Sequence, residues 1–434
     1  MGNLMNTRLW TGMIILLFVT SSISFNVSSE QHDLTDSMLN TSSTLGQAES
    51  SYIIQWQKNY GTSQEGGRYQ GPQPIGDCDN DGENEWLLAG RDGRIDIMEW
   101  NNDAQTYESS AVLHSPFYFF FLLRERQTEE SPPCAGGFAI GDLTGDGENE
   151  IAATWYSAVY KYIAGSYRLI GFNSWIFRNH GGNGDCFIGD CDNDGQNELI
   201  MSGGGGTYEN QVPEIVVHKW NGWRMQMVAS YDHPGPGYAY MAGVGDPDND
   251  GDNEITVGIT NYGNGPNDYN RLLVLDWNPQ TETFDETVLM ETSGWEEAPF
   301  GGWCEDSDAD GIDEIHFGYA SPRVTIFDWD GNSYFMKYDK IWPGEGWLIE
   351  SLNVGDVDND GFQEVCAATD IVHILEWNGT TYVEEACINE THGDLAVCNI
   401  GDLDNDGKNE MNVAPVFVDR DEEYISWVFE YVES

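Results

Sequence analysis

The chain is poor in basic residues and in long apolar segments. Its 434 residues include 18 lysines and arginines against 74 aspartates and glutamates, which gives a formal net charge of −56. A surface this negative repels nucleic acid and anionic lipid, so neither is an expected partner. The apolar run from Leu9 to Thr20 is short for a membrane-spanning helix, and no other segment of the sequence is apolar enough to cross a membrane.

The first 49 residues have the composition of a targeting segment followed by a linker. Arg8, the apolar run and the small residues Ser22 and Ser24 stand in the order of a secretory signal peptide, predicted over residues 1–24. An uncleaved anchor is the alternative. Residues 25–49 are rich in Ser, Thr, Asn and Gln and are predicted to form a disordered polar linker. We therefore expect a secreted or cell-surface protein.

An acidic nine-residue motif occurs seven times in the rest of the chain. The first copy reads DCDNDGENE, from Asp77 to Glu85, and successive copies begin 46 to 65 residues apart. That period is typical of propeller blades. The seven copies begin at Asp77, Asp142, Asp190, Asp246, Asp306, Asp356 and Asp402.

The motif has the oxygen pattern of a calcium loop. Calcium takes roughly six to eight oxygens, and positions 1, 3, 5 and 9 would supply side chains while position 7 supplies its backbone carbonyl. Position 6 is always glycine, as expected where the chain turns with positive φ. The motif therefore predicts up to seven structural calcium ions. The predicted ligands are Asp77, Asp79, Asp81, Glu83, Glu85, Asp142, Thr144, Asp146, Glu148, Glu150, Asp190, Asp192, Asp194, Gln196, Glu198, Asp246, Asp248, Asp250, Asp252, Glu254, Asp306, Asp308, Asp310, Ile312, Glu314, Asp356, Asp358, Asp360, Phe362, Glu364, Asp402, Asp404, Asp406, Lys408 and Glu410.

Two interpretations of the loops compete. Thr144 replaces an aspartate at position 3 and is a weaker ligand, and Glu305 stands where other copies have glycine before the motif. Without calcium the motifs would be merely acidic turns, but several carboxylates in one small loop repel each other strongly without a counter-charge. An EF-hand is excluded, because its glutamate stands at position 12 and helices flank it.

The segments around the motifs indicate β-strands. Short apolar runs such as Ile255–Gly258 follow each motif, and a second run ends in a shared signature, as in Asp276–Asn278. After a turn, an outer strand begins near an aromatic residue. The sequence predicts an all-β fold, a seven-bladed β-propeller of four-stranded antiparallel blades over residues 50–434. The metal loop joins the first two strands of each blade. The recurrent tryptophan is predicted to pack within the blade.

The last repeat is short by one strand. The sequence ends soon after the strand-like segment Tyr424–Tyr431, whereas residues 51–57 form a strand-like segment without a loop of its own. We expect residues 51–57 to pair with the C-terminal strand and close the ring. Among the eight cysteines, Cys387 and Cys398 flank one connection between blades and are predicted to form a disulfide.

The loops resemble a known family. FAIGDLTGDG, at Phe138–Gly147, resembles an FG-GAP repeat, the unit of the integrin α-subunit propeller and of VCBS-type secreted proteins. The resemblance covers about residues 50–434 and implies calcium in the loops on one face of the disc. Integrin propellers carry such loops in only some blades, so the bacterial and archaeal type is more similar.

The face opposite the loops is the predicted binding surface. Aromatic rings beside carboxylates and amides are what sugar recognition uses. We expect a monomeric binding or adhesion module for a glycan or protein ligand. For each single ring, packing against a neighbouring blade is the alternative. The candidates are Trp295, Trp303, Trp342, Trp347, His180 and His233.

The rival hypothesis is a polysaccharide-active enzyme, because the loops also resemble those of rhamnogalacturonan lyases. β-Elimination needs a base and a cation beside an acidic sugar. His180, His233 and His392 stand in separate repeats, and the negative charge disfavours a polyuronate substrate. Integrin-like adhesion ranks third, because the integrin stalk and the D-x-S-x-S motif of the integrin partner domain are missing. We predict binding rather than turnover.

Overall fold

The computed structural model describes residues 52–62, 74–90, 94–115, 136–154, 157–172, 184–205, 212–261, 269–419 and 421–432. All of them belong to one structural unit, Ser50–Ser434. The predicted signal peptide, the predicted linker and His180 lie outside the described residues. Within these ranges, no helix is both long and apolar enough to cross a membrane.

The described strands form seven four-stranded antiparallel sheets, so the predicted all-β, seven-bladed propeller is confirmed. Each sheet holds one acidic motif. In chain order, the strands are β1 (Tyr52–Asn59); β2 (Ile75–Gly76), β3 (Glu85–Gly90), β4 (Arg94–Asn101) and β5 (Thr106–His114) in the first blade; β6 (Phe138–Gly141), β7 (Glu150–Ala153), β8 (Ala158–Tyr162) and β9 (Tyr167–Gly171) in the second; β10 (Cys186–Gly189), β11 (Glu198–Gly205), β12 (Val212–Trp220) and β13 (Met225–Asp232) in the third; β14 (Tyr238–Gly245), β15 (Glu254–Thr260), β16 (Asn270–Asn278) and β17 (Thr283–Thr292) in the fourth; β18 (Pro299–Glu305), β19 (Glu314–Tyr319), β20 (Ser321–Trp329) and β21 (Tyr334–Ile341) in the fifth; β22 (Leu352–Gly355), β23 (Glu364–Ala368), β24 (Val372–Trp377) and β25 (Tyr382–Ile388) in the sixth; and β26 (Asp394–Gly401), β27 (Glu410–Phe417) and β28 (Ile425–Tyr431) in the seventh.

The core lies between neighbouring blades. All residues of β15 are buried, whereas outer strand β17 has no fully buried residue. Ile255 and Val257 of the fourth blade share one apolar cluster with Ile200 and Ile215 of the third. Strands buried on both sides need near-continuous apolar sequence. This is why the runs after each motif lack the polar alternation of a solvent-facing sheet.

The recurrent tryptophan packs inside its own blade. Trp277, at the end of the third strand, meets Phe284 at the start of the outer strand with ring centroids 5.1 Å apart. Trp377 meets Tyr382 in the same way at 5.0 Å. Such aromatic pairs pack the two strands together beside their turn.

β1 lies beside β28 and is the outer strand of the seventh blade, with the order β1-β28-β27-β26. It also contacts the first blade, since the Trp56 ring lies 5.8 Å from that of Trp86 and Gln55 accepts a hydrogen bond of 2.8 Å from the Tyr107 hydroxyl. Gln55 Nε2 also donates to Asp404 in the seventh loop, at 2.8 Å. The strand therefore bridges the first and last blades.

The predicted disulfide between Cys387 and Cys398 is wrong, because Cys387 carries a free, exposed thiol. Cys387 belongs to β25, the outermost strand of the sixth blade, whereas Cys398 is buried in β26, the innermost strand of the seventh. Strands are spaced about 4.8 Å apart. The width of a blade exceeds the roughly 7 Å that a disulfide can span between Cα atoms.

Candidate metal centre

Each acidic motif forms an eight-residue connection between the first and second strands of its blade. Position 4 is left-handed, with φ between 56° and 73°, and the position 6 glycines have φ between 85° and 99°. The position 1 aspartate accepts a hydrogen bond from the backbone N–H of position 6 in every loop, as from Gly251 to Asp246 at 3.0 Å. The backbone thus curls around its own carboxylates, which requires the glycine.

The glutamate at position 9 is buried in all seven loops. In six of them one carboxylate oxygen accepts the backbone N–H of position 2, as in Glu364 from Val357 at 2.8 Å. The second oxygen of Glu364 is buried without a hydrogen-bond partner, and so is one oxygen of Glu254. Leaving a buried carboxylate oxygen unpaired is costly. A cation beside these oxygens would remove that cost.

Several loops bring three or four carboxylates together. In the fourth loop, ligand oxygens of Asp246, Asp248 and Glu254 lie within 4.8 Å of one another. The fifth cluster also contains Asp328 of β20, which the motif did not predict. These donors are all oxygen, which suits a hard cation such as calcium. The structure thus shows acidic clusters with the chemistry to hold a metal ion. Three further clusters are Asp77 with Asp79 and Asp81, Asp190 with Asp192 and Glu198, and Asp356 with Asp358 and Asp360.

Burial and neighbouring aspartates raise the pKa of the closing glutamates in the fourth, sixth and seventh loops. Burial, followed by repulsion from Asp248 and Asp250, raises the pKa of Glu254 to about 9. Burial raises the pKa of Glu364 to about 9 and that of Glu410 to about 8, with aspartates of their own loops adding to it. The ionised form is therefore disfavoured unless a positive charge lies nearby.

In three blades, a strand lysine that the sequence analysis did not single out contacts the carboxylates of the loop. Lys161 Nζ lies 2.7 Å from Glu150 Oε1 and 2.8 Å from Asp146. Lys219 Nζ lies 2.9 Å from Glu198 Oε1, and Lys337 contacts Glu314 and Asp308. Burial lowers the pKa of each lysine, but hydrogen bonds to the carboxylates raise it more, so each pKa lies above its usual value.

Asparagines connect neighbouring loops. The Asn80 side chain, at position 4 of the first loop, accepts the backbone N–H of Asn149 at 2.8 Å and donates to the carbonyl of Asn149. Asn149, at position 8 of the second loop, donates to the carbonyl of Asp77 at 2.9 Å. The same exchange joins Asn193 with Asn253, Asn359 with Asn409 and Asn405 with Asn84. The signal for these clasps was present in the sequence as paired asparagines at positions 4 and 8.

The predicted ligand-binding residues divide into exposed and packed side chains. Trp295, in a 3-10 helix between β17 and β18, is 47% exposed, and Trp347, between β21 and β22, is 52% exposed. Trp342 is buried: its ring stacks on His373 at 4.2 Å and its Nε1 donates to Glu384. Trp303 is partly buried against the core of the fifth and sixth blades. Connections between blades leave from the end opposite the acidic loops, so Trp295 and Trp347 lie on the face away from them.

The described histidines of the enzyme hypothesis are both engaged locally. His233 is buried, with Nδ1 3.2 Å from the Tyr231 hydroxyl, and burial lowers its pKa. His392 Nε2 lies 2.8 Å from the carbonyl oxygen of Glu423. They lie in connections of different blades, so the structure does not pair them as an acid and a base.

Comparison with known proteins supports the fold. Residues 306–367, from the fifth acidic loop through most of β23, match the family model of the FG-GAP-like repeat. The resemblance predicted from the loops is thereby confirmed. No curated protein sequence matches the chain. A chain in the crystal structure of BBS1N in complex with ARL6DN, soaked with mercury, is similar with a TM-score of 0.50 and 10% identity, over 89% of this chain and 98% of that one. At this identity the likeness concerns the fold alone.

Proposed function

We propose that the protein is an exported, calcium-stabilised β-propeller that binds a glycan or protein ligand on the face away from its acidic loops. The observation that carries the calcium assignment is the buried, unpartnered carboxylate oxygen of Glu254 and of Glu364, each in a loop rich in aspartate. A propeller with an FG-GAP-like repeat fits a binding module in general. Export is an inference from residues 1–24.

The donor set favours calcium over magnesium. In a loop such as the fourth, Asp246, Asp248, Asp250 and Glu254 would hold the ion, and the carbonyl of Asp252 would complete the set. Magnesium demands near-ideal octahedral geometry and keeps several waters, whereas calcium accepts more protein oxygens in irregular arrangements. A bound ion would supply two positive charges to the carboxylates and fix the first strand against the second.

The ligand surface is inferred from exposed aromatic rings. Trp295 and Trp347 present about half of their surface to solvent on the face opposite the loops. Phe417 lies beside Trp347, with ring centroids 6.1 Å apart. Exposed, rigid rings supply apolar contact area for a sugar face or a protein side chain at low entropic cost. These residues support binding rather than catalysis.

Thermal melting tests the metal assignment. The purified protein is stripped of metal with EGTA and melted in calcium, in magnesium and in chelator. Each occupied site stabilises by about 4 kcal/mol when calcium exceeds its dissociation constant a thousand-fold. We expect a large rise in melting temperature with calcium and a smaller one with magnesium. An identical melting temperature in calcium and in chelator would contradict the assignment.

A further inference from the structure

One position of the third strand lies beside the closing glutamate of each acidic loop. The third strand of every blade places a residue across from the closing glutamate, as in the pairs Glu150 with Lys161 and Glu364 with Glu376. The ladder register extends the same pairing to all seven blades. The residues at this position are Glu99, Lys161, Lys219, Asp276, Asp328, Glu376 and Glu430.

In the second and third blades this position supplies a cation. Lys161 Nζ contacts carboxylates at positions 5, 7 and 9 of its loop, within 2.7 to 3.1 Å. Lys219 Nζ contacts positions 3, 5 and 9 of its loop, within 2.5 to 3.4 Å. Both ammonium groups thus meet the carboxylates that calcium would need. An ammonium provides three donors and one positive charge.

The fifth blade obtains its lysine from the outer strand. Lys337 lies at the register shift between β20 and β21 and contacts Asp308, Glu314 and Asp328. The sixth blade has the same register shift between β24 and β25, and there the chain places Glu385. The charge at this bulge is therefore opposite in the two blades.

In the remaining four blades carboxylate faces carboxylate. Glu364 lies opposite Glu376, and Glu410 lies opposite Glu430. Like charges directly across strands are destabilising. One oxygen of the buried glutamate has no hydrogen-bond partner in the fourth and sixth blades, and neither has Glu198 Oε1 in the third, although Lys219 Nζ lies 2.9 Å from it. In the second, third and fifth blades the Glu150, Glu198 and Glu314 carboxylates each meet a lysine.

We propose that the seven loops are of two kinds. The loops of the first, fourth, sixth and seventh blades bind calcium, whereas Lys161, Lys219 and Lys337 act as built-in counter-charges in the second, third and fifth. This inference rests on the proposed function, and it lowers the expected number of ions from seven to four. Calcium entering a lysine loop must displace the ammonium and then remain beside it, so these loops bind the ion weakly.

Counting bound calcium by equilibrium dialysis and atomic emission tests this division. The full-length protein should hold four ions per chain. Lys219→Met should raise the count to five, because it removes the ammonium group and leaves the carboxylates of the third loop without a counter-charge. Glu376→Lys should lower it to three. Lys58→Met, which alters a lysine lying over the ring of Tyr60 rather than in a loop, is the matched control and should leave four.

The outcomes separate the two proposals. A count of five or more in the unaltered protein, or the same count in both loop variants as in the control, overturns the two-kind assignment while calcium binding stands. A count of zero contradicts the proposed function itself. If Lys219→Met does not fold, Glu376→Lys and the count in the unaltered protein still decide.

Discussion

The connections on the two faces of the propeller differ in their uniformity. The acidic loops are eight residues long in every blade. On the other face, the four described connections between blades, 233–237, 293–298, 342–351 and 389–393, have five, six, ten and five residues. Their sequences have little in common. The loop face repeats one arrangement, and the other face changes from blade to blade.

This difference indicates which face is structural and which one recognises a ligand. The seven loops share one backbone conformation, and asparagine clasps such as Asn80 with Asn149 join four pairs of neighbouring loops. Variable connections on a rigid scaffold are where binding residues usually lie. Mutations on the two faces should therefore separate stability from binding.

The largest effect is expected from deleting β1, the strand that bridges the first and last blades. Deleting residues 52–59 exposes the edge of β28 and removes the contact between Trp56 and Trp86. We expect aggregation, measured by light scattering, or loss of cooperative melting, measured by calorimetry. Deleting residues 25–48 is the matched control and should leave the melting curve unchanged. Equivalent behaviour of the two truncations would refute closure by β1.

On the loop face, Glu364→Gln should have opposite effects with and without calcium. With calcium in thousand-fold excess over its dissociation constant, losing one site costs up to about 4 kcal/mol. Without calcium and near neutral pH, the variant should be more stable than the unaltered protein, because burial raises the pKa of Glu364 to about 9 and folding must protonate a carboxyl that is ionised in the unfolded chain, whereas glutamine needs no proton. Asp103→Asn, in an exposed turn, removes the same charge as a control. Urea unfolding in both conditions measures the change in the free energy of unfolding. A change of the same sign with and without calcium contradicts the account.

On the opposite face, two tryptophans should separate packing from recognition. Trp342→Ala should cost about 3–5 kcal/mol of stability, because the ring is buried on His373. Trp347→Ala should change stability by no more than about 0.5 kcal/mol, because the ring is half exposed. It should weaken a ligand found on a glycan or protein array by more than about 1 kcal/mol. A Trp347→Ala variant that melts at a lower temperature but binds the ligand normally would show that Trp347 serves packing rather than recognition.

The last prediction is the pH dependence of the calcium-free protein. Burial raises the pKa of Glu254 from 4.5 to about 9, so the folded state holds a proton that the unfolded state releases. Stability from this group is complete below pH 4.5 and is lost as the pH rises through 9. We expect the melting temperature of the metal-stripped protein to fall across this window, and Glu254→Gln to flatten the fall. A melting temperature that rises with pH would contradict it.

Much of the fold was predictable because the repeat carries its own chemistry. The position 6 glycines and the apolar run after each motif were sufficient to predict the loops, the blades and their number. The unpaired segment before Asp77 and the short last repeat pointed to closure by β1. These are local patterns, and each occurs in a fixed place relative to the motif.

The remaining features depend on neighbours that a single sequence does not identify. Lys219 faces Glu198 only through the ladder register, and Lys337 reaches Glu314 only because a bulge turns it inward. Trp342 and Trp347 stand five residues apart in one connection, yet one is buried and the other exposed. The disulfide prediction was wrong because nearness in sequence does not reveal the width of a blade.

The most direct test of the calcium assignment is an anomalous difference map from crystals grown in calcium. The account predicts peaks in the loops that begin at Asp77, Asp246, Asp356 and Asp402, each about 2.3–2.6 Å from the surrounding oxygens. It predicts lysine Nζ atoms in place of peaks beside Glu150, Glu198 and Glu314. A map without peaks in any acidic loop would contradict the calcium assignment.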